Sequence, residues 1–221
     1  MSKRNYKILL FSIVAVVLIV DQILKIWVKT HMCLGEQVAL WGNWFYLFFI
    51  ENEGMAFGIS LGQNFGKLLL SLLRIVVVAF LFYYILRQIK RAKTDTITVV
   101  VFSLIIAGAL GNIIDSAFYG LFFSESTIFA PAVAFPEGSG YSAFLYGKVV
   151  DMFYVKLFLI PEWFPLWGGS YFFPAIFNIA DACVTVGLIL LLIFNGRIFS
   201  ETDKQVDELT SDELKSDELT S

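Results

Sequence analysis

Four long apolar runs organise the chain: Ile8–Val28, Leu68–Leu86, Ile97–Ile114 and Ala175–Phe194. A helix needs roughly 20 residues to cross a hydrocarbon core about 30 Å thick, so each run predicts a transmembrane helix. The first run follows Lys3, Arg4 and Lys7, as the apolar region of a secretory signal would. No small-residue cleavage site follows it, and Asp21 and Lys25 interrupt it, so it reads as an uncleaved span. Two longer segments, 29–67 and 115–174, separate the runs. Both are aromatic, with Trp41, Trp44, Phe45, Tyr46, Phe48 and Phe49 in the first and Trp163, Phe164, Trp167, Tyr171, Phe172 and Phe173 in the second. Such residues favour the membrane–water interface. Strand-like stretches at Val38–Leu40 and Trp44–Ile50 predict a small sheet lying on the bilayer. Residues 117–148 show no period, and no element is assigned to them. The expected fold is an α-helical polytopic membrane protein: four transmembrane helices with a small interfacial β-sheet in the first outer loop.

Composition agrees with the runs. Of 221 residues, 58% are apolar and 16% charged, against about 25% charged in soluble domains. This excludes a disordered chain, a coiled coil and an ordinary soluble globule, and two cysteines exclude a disulfide-scaffolded domain. The net charge of −3 hides an asymmetry. Residues 200–221 carry eight of the 19 acidic and two of the 16 basic residues, which leaves residues 1–199 at +3. The tail repeats an acidic pentad three times, at Asp207–Ser211, Asp212–Ser216 and Asp217–Ser221. A five-residue repeat matches neither helix nor strand, so 200–221 reads as a disordered acidic tail behind a single membrane-embedded domain, 1–199. The basic residues set orientation. Lys3, Arg4 and Lys7, then Arg87, Lys90, Arg91 and Lys93, then Arg197 fall on flanks that share one side in a four-span chain. Both termini are therefore expected in the cytoplasm, with 29–67 and 115–174 outside.

Charges within spans are costly and mark function by default. Asp21 lies 13 residues into the first run from its inner end, about 20 Å up at 1.5 Å per residue. Asp181 lies six residues into the fourth run from its outer end, about 9 Å deep. Asn178 is one turn shallower, and Asp115 closes the third run. Polar groups from three spans thus converge near the outer boundary. Asn178, Asp181 and Thr185 share a helix face, as do Gly108, Asn112 and Asp115. Ala107, Gly108 and Gly111 allow a close helix–helix approach. Asp21 and Lys25, one turn apart, can neutralise each other as a structural ion pair, and Lys25 can instead snorkel outward.

The available chemistry is narrow. One histidine, His31, and no His-Glu-x-x-His or Cys-x-x-Cys spacing leave a carboxylate-only site as the one metal option. Gly58-Ile59-Ser60-Leu61-Gly62 has the spacing of a nucleophile elbow. That motif needs a strand–turn–helix setting and a histidine partner, so a turn is the better reading. Cys183 and Cys33 read as packing or uninformative. Paired carboxylates remain. Two in one low-dielectric site cannot both ionise cheaply, so one keeps a proton while the other activates water. Intramembrane aspartates also serve ion-coupled transporters, although those usually have more spans and internal repeats. A non-catalytic membrane assembly factor is the third reading.

Five motifs stand in order on the chain. They are Asp21-Gln22-x-x-Lys25, Asn52-x-Gly54-x-x-Phe57, Gly111-Asn112-x-x-Asp115, Val149-Val150-Asp151 and Phe177-Asn178-x-Ala180-Asp181. As an ordered set over about residues 8–195, the sequence resembles the lipoprotein signal peptidase (signal peptidase II) family. The resemblance implies an aspartic endopeptidase of the bacterial cytoplasmic membrane. It would cut diacylglyceryl-modified prolipoproteins just before the lipidated cysteine, at the outer face. It implies Asp151 and Asp181 as the catalytic pair, of which the charge pattern alone had singled out only Asp181. By the same match Asn52, Gly54, Asn112, Asp115 and Asn178 position substrate or support the dyad, and Asp21 and Lys25 have structural roles. No cofactor and no nucleic acid are implied; the partners are prolipoprotein and membrane lipid, and the chain is expected to act as a monomer. Two features depart from the family. Ser116 stands where the family usually carries Arg, with Lys148 a candidate to replace its contact, and 116–148 is much longer than in the shorter members.

Overall fold

A computed structural model describes residues 1–53, 63–91, 94–164, 168–172 and 175–199. Gly54, the Ser60 motif, Lys93, Trp167, Phe173 and the acidic tail lie outside the described residues. The elements are α1 (Lys3–His31), β1 (Gln37–Trp41), β2 (Phe45–Asn52), α2 (Gln63–Arg91), α3 (Thr96–Ile114), α4 (Gly120–Phe122), β3 (Val149–Val155), β4 (Ile176–Phe177) and α5 (Ile179–Ile193). A π-helical turn, Asp115–Tyr119, joins α3 to α4.

α3 is the centre of the bundle. It packs against α1, α2 and α5, and its side chains are buried on most of its circumference, with Val99, Val101, Ile106 and Ala107 fully enclosed. α1 and α2 instead turn large apolar side chains outward, among them Ile8, Val16, Ile19, Ile23, Val76 and Phe80. A helix apolar all round, with no polar outer face, is a lipid-facing helix. The close approach expected at Ala107, Gly108 and Gly111 is present where α5 crosses α3. A Cβ at Gly108 would collide with the Ala180 carbonyl, and one at Gly111 would stand 2.7 Å from Asp21 Oδ2.

Among the described residues three helices are long and apolar enough to cross a membrane: Lys3–His31, Gly66–Arg91 and Thr96–Phe122. The fourth run differs from its expected form. Ile176–Phe177 pairs as a strand and Asn178 caps the helix, so α5 starts at Ile179 and has 15 residues. Asp181 is consequently in the first turn of α5, not six residues into a span. Helical geometry resumes over 195–199 after a break at Phe194. Asp115 also departs from expectation: helical structure continues past it to Phe122.

The sheet is larger than the first outer loop. β1 and β2 form the expected hairpin, but β3 and β4 come from the second outer segment, giving an antiparallel order β1-β2-β3-β4. Residues 123–148 fold back on the C-terminal end of α1. Leu34 N–H donates to the Thr127 carbonyl and Ala132 N–H to the Lys29 carbonyl, at 2.9 and 3.0 Å. Phe123, Ala132 and Tyr119 pack there with Val28, Met32, Phe49, Val150 and Met152. At the other end of the bundle, Lys3, Lys7, Arg87, Lys90 and Arg91 line one depression, and Arg197 pairs with Asp95 before α3. The three basic flanks therefore do share a side.

Candidate active site

The site assembles where the start of α5 meets β3 and the C-terminal end of α3. Phe177 pairs with Phe153, which brings the next residue, Asn178, alongside the part of β3 that carries Asp151. Asn178 then caps α5 in a reciprocal box. Its Oδ1 accepts from Asp181 N–H at 2.8 Å, and Asp181 Oδ2 accepts from Asn178 N–H at 3.4 Å. The cap fixes both side chains at a helix N-terminus, where negative charge is favoured.

Amides bridge the two carboxylates. Asn178 Nδ2 donates to Asp151 Oδ1 at 2.7 Å, and it also lies 3.2 Å from the Val150 carbonyl and 3.2 Å from Asn112 Oδ1. Asn112 Nδ2 donates to Asp181 Oδ1 at 2.8 Å. Asp151 and Asp181 are thus tied through one asparagine each, and the two asparagines touch. Asp151 is 3% exposed. Burial, then the neighbouring Asp181 carboxylate, push its carboxyl up to about 7. Asp181 is half-buried and borders a cleft of about 220 Å³ lined by Phe177, Ala182, Thr185 and Val186. One carboxylate is therefore enclosed and the other reaches an apolar opening.

Behind the amides lies a buried ionic cluster. Lys25 Nζ is 3.0 Å from Asp21 Oδ2, 2.8 Å from Asp115 Oδ2 and 2.9 Å from Asn112 Oδ1, all fully enclosed except Asn112. Lys25 does not snorkel. It pairs with two aspartates from different elements and holds the asparagine that holds Asp181. Each aspartate in turn fixes backbone at the site: Asp21 Oδ1 accepts from Ala180 N–H at 3.0 Å, and Asp115 Oδ2 from Val150 N–H at 3.2 Å. A fully satisfied cluster of this kind specifies geometry. Gln22 completes it by donating to Asp115 Oδ1 at 2.9 Å, while Tyr119 donates to Gln22 Oε1 at 3.1 Å.

Of the residues expected from sequence, Asp21, Lys25, Asn112, Asp115, Asp151, Asn178 and Asp181 come together here. Asn52 lies at the end of β2 opposite Val149, two residues beyond the partner of Asp151. Lys148 Nζ lies 3.4–3.9 Å from the carboxylates of Glu51, Glu53 and Glu125. Ser116 returns its hydroxyl to the Asn112 carbonyl at 3.0 Å. Sequence reasoning missed Arg74, on α2, which lies within electrostatic reach of Asp181, Asp151 and Asp115. An arginine inside an apolar run was the available signal. Among the described residues no group of three or more His, Cys, Asp or Glu is placed to hold a metal ion.

Comparison with known proteins gives the same set of positions a family. The family model described as "Signal peptidase (SPase) II" matches residues 13–196. The chain belongs to the signal peptidase II family. It is 46% identical over 193 residues to a lipoprotein signal peptidase of Porphyromonas gingivalis, covering 86% of this chain and 83% of that one. It is 36% identical over 199 residues to the lipoprotein signal peptidase of Amoebophilus asiaticus, covering 87% and 79%. A solved bacterial membrane enzyme is 28% identical, with a TM-score of 0.57 over 83% of this chain and 90% of that one. Membership makes the chain a peptidase.

Proposed function

We propose that this signal peptidase II is an aspartic endopeptidase acting on diacylglyceryl prolipoproteins, with Asp151 and Asp181 as its catalytic pair. The carrying observation is the amide-bridged approach of one enclosed and one cleft-facing aspartate on separate elements. Asp151, held neutral by burial, donates to the scissile carbonyl oxygen. Asp181 takes a proton from the attacking water. As the tetrahedral intermediate collapses, that proton passes to the leaving nitrogen of the lipidated cysteine, and the signal peptide leaves with a new carboxyl terminus. Asn112 and Asn178 orient the carboxylates, and Asn52 with Gly54 covers the substrate. The apolar cleft beside Asp181 suits a signal-peptide segment, while the acyl chains stay in lipid.

The topology belongs to the same reading. α5 with the helical residues to 199 forms a fourth span beside α3, both termini lie in the cytoplasm, and the dyad sits near the outer face of the inner membrane. The common basic depression at the bundle's other end supports this. The chain acts as a monomer, and its tail takes no part, so truncation after Ser200 should leave cleavage of a precursor at the full-length rate. A tenfold loss would give the tail a role.

The direct test is a gel-shift assay with purified protein and a synthetic lipidated precursor, run beside an ion-flux assay in proteoliposomes. Cleavage without flux is expected. Flux without cleavage would identify a transporter, and neither would indicate an assembly factor.

Protonation makes a second prediction. Asp151 has a carboxyl near 7 in the folded chain against an ordinary value of 3.8. The neutral form is therefore the one the fold favours. Its contribution is full below about pH 4 and lost as pH rises through about 7. Asp151→Asn, which mimics the neutral acid, should be no more stable than the wild type at pH 4 and more stable by several degrees at pH 8. Thermal unfolding in detergent at both pH values checks this. An equal difference at the two pH values would contradict it.

A further inference from the structure

A second buried lysine stands one turn beyond Lys25 on α1, and it ties the long 116–148 segment to the catalytic sheet. Lys29 is fully enclosed. Its ammonium pairs with Glu51 Oε1 of β2 and donates to Ser126 Oγ at 2.9 Å. The Ser126 hydroxyl donates to the same Glu51 oxygen at 2.7 Å. Three groups from α1, β2 and the inserted segment thus close a triangle. The rings of Tyr141 and Phe123, both from the segment, lie 4.9 and 5.6 Å from the ammonium. Lys148 closes the outer side, 3.9 Å from Glu51 Oε2, with its own N–H donating to the Tyr141 hydroxyl at 2.7 Å.

The position of Glu51 gives the triangle its consequence. In the β2–β3 ladder Glu51 stands opposite Val150, and Ile50 stands opposite Asp151. The strand that Lys29 and Ser126 grip is therefore the hydrogen-bonded neighbour of the strand that carries the enclosed aspartate. The grip falls just beyond the irregularity in the β2–β3 ladder, where the register shifts between Leu47 and Ile50. A bulge leaves a residue unpaired and locally disrupts the ladder. A buried ion pair adds little net stability over an apolar packing and is better suited to fixing geometry. Lys25, through Asp115, holds the Val150 N–H of β3, and Lys29, through Glu51, holds the facing residue of β2. Two lysines one turn apart thus fix both sides of the ladder at Asp151.

We propose that residues 116–148 brace the catalytic sheet: Ser126 locks Lys29 onto Glu51, and this pins the end of β2 against β3 so that Asp151 is held in register with Asp181. Glu51, Lys29 and Ser126 are positioning residues, since none of them touches the dyad. The activity arm of the test rests on the peptidase reading given above; a second arm does not.

The test uses the full chain in lipid nanodiscs, with a synthetic diacylglyceryl precursor peptide as the probe. Partners that orient the ligands of a metal centre typically contribute about 10- to 100-fold to activity, and the same scale is expected for residues that hold this sheet in register. Glu51→Gln is expected to lower kcat within that range with KM nearly unchanged, and Ser126→Ala about tenfold. Ser126→Thr, which keeps the hydroxyl, should restore most of the loss. In the second arm, hydrogen exchange of the amides of Ile50–Asn52 and Val150–Met152 should speed up about tenfold or more in Ser126→Ala, while those in the middle of α3 stay as in the wild type. If Glu51→Gln does not fold, Ser126→Ala carries the test, since it deletes a single oxygen. Wild-type kcat in Ser126→Ala, no rescue by threonine, or unchanged exchange at 50–52 would each overturn the brace. A wild-type chain that failed to cut the precursor would instead overturn the peptidase reading, and the exchange arm would still decide the brace.

Discussion

Asp151→Asn and Asp181→Asn should each lower single-turnover cleavage of a lipidated precursor by on the order of 10³-fold or more, while the protein still binds the precursor. The size follows from what each change removes. General acid–base catalysis by a placed side chain contributes roughly 10² to 10⁴-fold, and here the two roles fall on separate residues. Asn at 151 still fits between the Asn178 amide and the strand, but it cannot pass a proton to the carbonyl oxygen. Asn at 181 retains an oxygen for Asn112 and loses the base. Because the two residues act as a unit, the double variant should be scarcely slower than either single one. Single-turnover kinetics with a binding assay on the same preparations checks this. Additive losses would show that the two aspartates act separately.

Lys25→Met should be the most destabilising single change outside the dyad. It removes the cation shared by Asp21 and Asp115 and leaves two buried carboxylates facing each other across α1 and α3. Breaking a buried ion pair from one side typically costs about 3–5 kcal/mol. Here the loss also frees Asn112 and, through Asp115 and Asp21, the backbone at Val150 and Ala180. The variant should unfold well below the wild type in detergent and lose cleavage with it. Replacing all three charged groups together, as Asp21→Asn, Lys25→Met and Asp115→Asn, should recover much of the stability, because no uncompensated charge is left. Thermal unfolding of the single and triple variants measures both. A Lys25→Met protein as stable as the wild type would show that the cluster is more hydrated than its burial indicates.

The lipid-facing part of this molecule was legible because hydropathy and helix rise are local properties. The ends of the apolar runs fell within a few residues of α1, α2 and α3, and the tight contact at Gly108 followed from small residues alone. The hairpin β1–β2 was readable from its aromatic and β-branched stretches. β3 was not. Val149–Val155 is buried at its start and carries an aspartate in its middle, so it shows neither alternation nor a plain apolar run. β4 has two residues, too short to leave a pattern, and it took the first turn of the expected fourth span with it. The site divides the same way. Asp21, Asp115, Asn178 and Asp181 were found from depth and helix face, since charge in an apolar run announces itself. Asp151 entered only through the family motif, because the depth of a strand cannot be computed from helix rise. Lys29 and Glu51 left no signal at all. A lysine near a span's end reads as an interfacial anchor, and a glutamate before Asn52 reads as loop; only the fold places one against the other.

In the proposed mechanism one aspartate pair hydrolyses a lipidated precursor at a single bond. The most direct measurement is the mass of both products from a diacylglyceryl precursor incubated with wild-type protein, Asp151→Asn and Asp181→Asn in nanodiscs. The wild type alone should give a free signal peptide and a product that begins at the lipidated cysteine. The same two products from either variant, or a wild-type cut at any other bond, would contradict it.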